Sequence, residues 1–87
     1  METKQVVSGY AIVVLDRGFV YVGDATIDDK QVIITNARNI RRWGTTLGAL
    51  ALSGPIDKTV LDDAGTVRAP LHAWIHTLDT EASLWKA

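Results

Sequence analysis

The sequence predicts a mostly β protein: a small antiparallel meander forming a barrel or sandwich, with one short helix. Three observations carry this. The first half is dense in β-branched and aromatic residues. Turn residues cut that half at short intervals, which joins neighbouring strands in antiparallel fashion. Only residues 45–53 have the composition of a helix.

Residues 5–15 form the first expected strand, carried by Val6, Val7, Tyr10, Ile12, Val13 and Val14. Asp16-Arg17-Gly18 reads as a three-residue turn with glycine placed for positive φ. Residues 19–27 alternate Phe19, Tyr21 and Gly23 on one face with Val20, Val22 and Asp24 on the other. Asp28-Asp29 opens the next turn, and Val32-Ile33-Ile34 marks a third strand over residues 31–35. Residues 36–43 read as a continuation of that strand with a bulge near Asn39, or as an irregular connection.

The helix is expected to start on Thr45 or Thr46, to be filled by Leu47, Ala49, Leu50, Ala51 and Leu52, and to stop at Gly54-Pro55. So short a helix persists only by packing on the sheet. A brief strand at residues 59–62, a turn at Asp63-Ala64-Gly65 and strands at 66–69 and 71–78 follow, interrupted by Pro70. Thr80 is positioned to cap a helical turn in the tail, with Leu84 and Trp85 as its apolar contacts.

Residues 1–87 make a single β-rich domain with a thin core. There is no cysteine, so neither a disulfide nor a thiolate metal site is expected. A net charge of −1 argues against general nucleic-acid binding. No apolar run approaches the roughly 18 residues of a membrane span, and the first residues lack the pattern of a signal peptide. The expected location is the cytoplasm.

The chemistry concentrates in Asn36-Ala37-Arg38-Asn39-Ile40-Arg41-Arg42-Trp43-Gly44, which puts three arginines, two asparagines and a tryptophan into nine residues. Residues 31–56 contain no acid. Guanidinium groups fork onto phosphates and carboxylates. Trp43 offers a stacking face, and Thr45 and Thr46 add hydroxyls where a helix begins. A ligand site here would comprise Asn36, Arg38, Asn39, Arg41, Arg42, Trp43, Thr45 and Thr46. The competing reading pairs the arginines with the chain's aspartates and buries Trp43; a protein interface is the third.

Other candidates are weaker. On a strand, His72 and His76 stand about 13 Å apart, too far to share a metal, so no metal site is expected. Gly44-Thr45-Thr46-Leu47-Gly48 lacks the lysine of a phosphate-binding loop. Asp28-Asp29 and Asp62-Asp63 suit turns better than acid–base catalysis. Neither a catalytic constellation nor a cofactor is expected. Trp43, Trp74 and Trp85 are many for a thin core, which predicts a homo-oligomer.

The Asn36–Gly44 run, followed by Ser53-Gly54-Pro55 and the strand expected over Thr66 to Ile75, resembles a family of small proteins from tailed phages and prophages. The family pattern is a β-rich start, an Asn-Ala-Arg-x-x-Arg-x-Trp motif, a short helix and a terminal strand. No established activity comes with it. The resemblance implies a phage origin and a location in the host bacterial cytoplasm. By analogy it also suggests an oligomer that sequesters a nucleotide-type immune signal without cleaving it, acting against host defence. The alternative is a structural or interaction protein, such as a virion accessory subunit or a direct inhibitor of a host protein.

Overall fold

The structure is a computed structural model that describes residues 7–85. Five strands form one antiparallel sheet: β1 (Val7–Leu15), β2 (Val20–Ile27), β3 (Gln31–Arg42), β4 (Val60–Pro70) and β5 (Trp74–Asp79). The helix α1 (Leu47–Ser53) lies between β3 and β4 in the chain. Gln5 and Val6, the start of the first expected strand, lie outside the described residues.

The strand order is β4-β3-β2-β1-β5. β1 to β3 are the expected meander, β4 follows α1 and pairs with β3, and β5 returns to pair with β1. The two edge strands are nevertheless joined by a single 3-10 turn, Leu71–Ala73. In a flat sheet four strand spacings of about 4.8 Å would separate them by about 19 Å. One 3-10 turn, rising about 2 Å per residue, does not span that distance. The sheet therefore curls, which brings the end of β4 near the start of β5, and it stays open because β4 and β5 form no ladder.

Curling gives the sheet two apolar faces. One cluster holds Val13 and Leu15 of β1, Ala25 and Ile27 of β2, and Val32, Ile34 and Ala37 of β3. It also collects Val67, Ala69, Leu71 and Trp74, residues around the turn that joins β4 to β5, so it is the inside of the curl at that end. The other cluster holds Ile12, Val14, Val20, Val22 and Ile40, covered by Leu50 and Ala51 of α1 and by Trp85. β1 and β2 are thus buried on both faces, which is why they read as near-continuous apolar runs. Each fully buried Ile or Val contributes about 1.5–3 kcal/mol.

The local signals at Asp28 and at both ends of α1 hold. Asp28 Oδ1 accepts from the backbone N–H groups of Lys30 (2.8 Å) and Gln31 (2.9 Å). Thr46, rather than Thr45, caps α1 by accepting from the Ala49 N–H at 3.1 Å. Gly54 ends it with φ 81°, its N–H bonded to the Leu50 carbonyl. A Cβ at Gly54 would stand 2.6 Å from the Leu84 carbonyl oxygen, so glycine is required there twice over.

Four expectations are corrected. Asp63-Ala64-Gly65 is not a turn, and the strands expected on either side of it are one strand, β4. The register jumps from Ala37↔Gly65 to Arg38↔Asp63, so Ala64 is the extra residue of a bulge. Gly65, at φ 69°, supplies the positive φ that a turn and a bulge both use. The main bulge of β3 lies at Asn36 and Ala37, not near Asn39: these two residues oppose the single Gly23 of β2. The strand expected at 71–78 begins only at Trp74, because Leu71–Ala73 forms the turn that joins the sheet edges. Finally, the tail turn is the 3-10 segment Ala82–Trp85, and Thr80 serves it through its side chain rather than as an N-cap.

Candidate functional site

The bulge at Asn36 decides where the arginine-rich run points. Upstream of it, Val32 and Ile34 face the inside of the curl; downstream, the phase shifts by one and Ile40 faces α1. Asn36 itself takes φ 51°, a left-handed conformation asparagine tolerates better than most residues.

Arg38 follows Ile40 onto the α1 face, is half-buried, and donates through Nη2 to the Trp85 carbonyl. With Asn36 it lines a cleft of about 590 Å³ that also contains Asp24, Asp63 and Tyr10. Two carboxylates share that cleft with one guanidinium, so its charge does not favour an anion.

Asn39 is also half-buried. Its Nδ2 donates to the Val20 carbonyl at 3.1 Å, where the β2–β3 ladder stops at Tyr21↔Asn39. The side chain supplies a rung that the backbone no longer provides. Arg41 is the extra residue of a second β3 bulge, between Ile40↔Leu61 and Arg42↔Val60. It pairs with Asp62, Nε to Oδ2 at 2.8 Å, on an exposed surface. Such a pair contributes little, about 0–1 kcal/mol.

Arg42, Trp43, Thr45 and Thr46 lie at the far end of β3, all exposed. Thr46 is engaged as the helix cap. Trp43 is 41% exposed and its carbonyl accepts from Thr59 Oγ1 at 2.7 Å. Thr59 Oγ1 also accepts from the Ile56 N–H at 3.0 Å. This one hydroxyl ties the end of β3 to the segment after α1. Gly44, at φ 77°, packs so closely on that segment that a Cβ would stand 2.7 Å from Lys58 Cβ. Ile56, Asp57 and Lys58, all exposed, therefore line an open surface together with Gly44.

The eight residues singled out in the sequence are thus dispersed. Asn36 and Arg38 share the α1-face cleft, Asn39 and Arg41 are engaged in strand pairing and an ion pair, and the rest gather at the end of β3. Sequence reasoning missed Ile56, Lys58 and Thr59. Only the pairing of Arg42 with Val60 brings them into range, and no local pattern announces it. His72 lies in the 3-10 turn and His76 on β5, both exposed. No cluster of three metal-ligating side chains occurs among the described residues, and no helix there is long and apolar enough to cross a membrane.

Comparison with protein-family models, with curated proteins and with solved structures finds no match.

Proposed function

We propose that this is a non-enzymatic binding protein and that it works at the surface where β3 ends. One observation carries the reading: Trp43 is 41% exposed, Arg42 precedes it in the chain, and Lys58 packs against Gly44, which follows it; neither cation has an ion-pair partner among the described residues, although Asp57 adjoins Lys58. Guanidinium, ammonium and indole groups bind by charge and stacking rather than by proton transfer. Together they suit an anionic target with a flat ring, such as a nucleotide. Of the residues expected to form the site, Arg42, Trp43 and Thr45 fill this role, with Lys58 added.

The resemblance to tailed-phage proteins suggests the setting, the host bacterial cytoplasm, and analogy with small phage proteins that sequester signals makes a nucleotide immune signal the candidate target. Thermal unfolding in the presence of cyclic and linear nucleotides tests it. A ligand at 100-fold over its dissociation constant adds about 2.7 kcal/mol of stability, and Trp43→Ala should lower the gain. No shift with any nucleotide at millimolar concentration overturns it.

A second reading is favoured by Ile56, which is 44% exposed on the open surface that it shares with Lys58 and with Gly44, the residue after Trp43 at the end of β3. A tryptophan and an arginine with an aliphatic neighbour are the composition of a protein–protein hot spot. In this reading the target is an acidic patch on a host protein. Capture of such a protein by the wild-type chain but not by Trp43→Ala, with no response to nucleotides, identifies it.

Self-association belongs to the same proposal. Among the described residues neither edge of the sheet is paired further, and Phe19, Leu52 and Ile75 are exposed in addition to Trp43 and Ile56. Light scattering at tens of micromolar should report an oligomer; a monomer removes this part.

A further inference from the structure

The turn between β1 and β2 holds its shape at a cost. Arg17 takes φ 60° and ψ 20°, a left-handed conformation normally left to glycine, asparagine or aspartate. It projects a guanidinium from the tip of the turn and is followed by Phe19, a large apolar side chain that is 52% exposed. Facing them across a cleft are Arg68 and Pro70 of β4 and His72 of the edge-joining turn. The cleft is about 370 Å³ and opens onto the inside of the curl, with Tyr21 and Val67 in its wall.

Two features make this more than a gap. The first is charge. Arg17 and Arg68 both line the cleft, and although Asp16 lines it too, neither arginine has an ion pair with any described residue. Neither makes a side-chain hydrogen bond to a described residue. The second is shape. The rings of Phe19 and Tyr21 and the apolar wall offer a flat ligand a surface to pack on, and the volume lies in the range of about 300–1,000 Å³ typical of small-molecule sites.

We propose that this cleft binds a small aromatic anion, an aryl or heteroaryl phosphate or carboxylate no larger than a mononucleotide. Its ring packs against Phe19 and Tyr21, its anionic group is held between the Arg17 and Arg68 forks, and His72 adds a donor. The site shares no residue with the Arg42–Trp43 surface and does not depend on it.

The test is an amide chemical-shift titration of the full chain with phenyl phosphate, adenosine monophosphate and inorganic phosphate. Phenyl phosphate should give saturable shifts at residues 16–19 and 67–73 and bind about tenfold or more tighter than inorganic phosphate, because the ring adds contact. Arg68→Ala and Arg17→Gly should each weaken it about tenfold or more. Arg17→Gly is the informative variant, because glycine adopts φ 60° freely and the turn keeps its shape. The proposal is overturned by an absence of saturable shifts, by equal affinity for inorganic phosphate, or by unchanged affinity in the two variants. Shifts confined to residues 42–45 and 56–59 also overturn it, placing the anion on the other surface.

Discussion

Thr80 locks Trp85 onto helix α1. Its Oγ1 accepts from Trp85 Nε1 at 2.9 Å and donates to the Ala51 carbonyl at 2.7 Å. Trp85 is 1% exposed and is the largest fully buried side chain among the described residues, so its indole N–H has no water to turn to. One hydroxyl thus satisfies a buried donor and a helical carbonyl together. Thr80→Val keeps the shape and removes both bonds. It should cost about 1–3 kcal/mol, the penalty for an unsatisfied buried polar group, and lower the melting temperature by about 4–8 °C per kcal/mol. Thr80→Ser should recover most of the loss. An unchanged melting temperature in Thr80→Val means that the indole finds another partner.

Gly23 faces the bulge of β3. A Cβ there would stand 2.8 Å from the Thr35 carbonyl oxygen, 2.9 Å from Ile34 Cγ2 and 3.1 Å from Ala37 Cα. Two of these contacts are backbone, so relief requires the bulge to move. Gly23→Ala should therefore destabilise by about 1–3 kcal/mol through overpacking. Because the bulge sets the phase of β3, the amide shifts of residues 36–42 should change along with the stability. A neutral substitution with unmoved shifts places the bulge elsewhere.

This bulge marks the limit of what the sequence discloses. Turns and helix ends were legible because a single residue makes them: Asp28 with its carboxylate, Thr46 with its hydroxyl, Gly54 with its φ. Strand identity was legible in Val13, Val22 and Ile34 because buried strands need β-branched side chains. Phase was not. Asp63-Ala64-Gly65 fits a turn and a bulge equally well, and only pairing with β3 selects the bulge. The arginines were visible, but their partners were not. Arg38 bonds a carbonyl 47 residues away, and Arg41 an aspartate 21 residues away, both contacts of tertiary origin. The Arg17–Arg68 cleft was hidden for the same reason: its two halves meet only because the sheet curls.

The Asp28 turn gives a pH prediction. Its carboxylate accepts from the backbone N–H of Gln31 and of Lys30, and these bonds hold its pKa below the ordinary value of 3.8. The charged form is favoured in the folded chain and not in the unfolded one. The stabilisation is thus fully present above the ordinary value and is lost as pH falls through the lower folded midpoint. A carboxyl-carbon titration should give Asp28 a midpoint below 3.8. Asp28→Asn keeps an acceptor oxygen and should flatten this part of the acid limb of the stability curve. A midpoint at or above the ordinary value would falsify the turn in solution.

The two ends of the arginine run should respond oppositely to truncation. Arg38 is half-buried, and its guanidinium donates to the carbonyl of the residue that fills the α1-face core. Arg38→Ala removes a charge-assisted bond and leaves the Trp85 carbonyl without that donor. A loss of about 1–2 kcal/mol in denaturant unfolding is expected, below the full value of a buried charged bond because water reaches the site. Arg42 is exposed at the strand end and has no ion pair among the described residues. Arg42→Ala should leave stability within about 0.5 kcal/mol of wild type and weaken capture of the anionic target. The pair of variants separates scaffold from surface within five residues of one strand. Equal destabilisation by both assigns the whole run to the scaffold. Equal loss of binding, with neither variant destabilised, returns Arg38 to the ligand site, and the cleft with Asp24 and Asp63 would then be where its target sits.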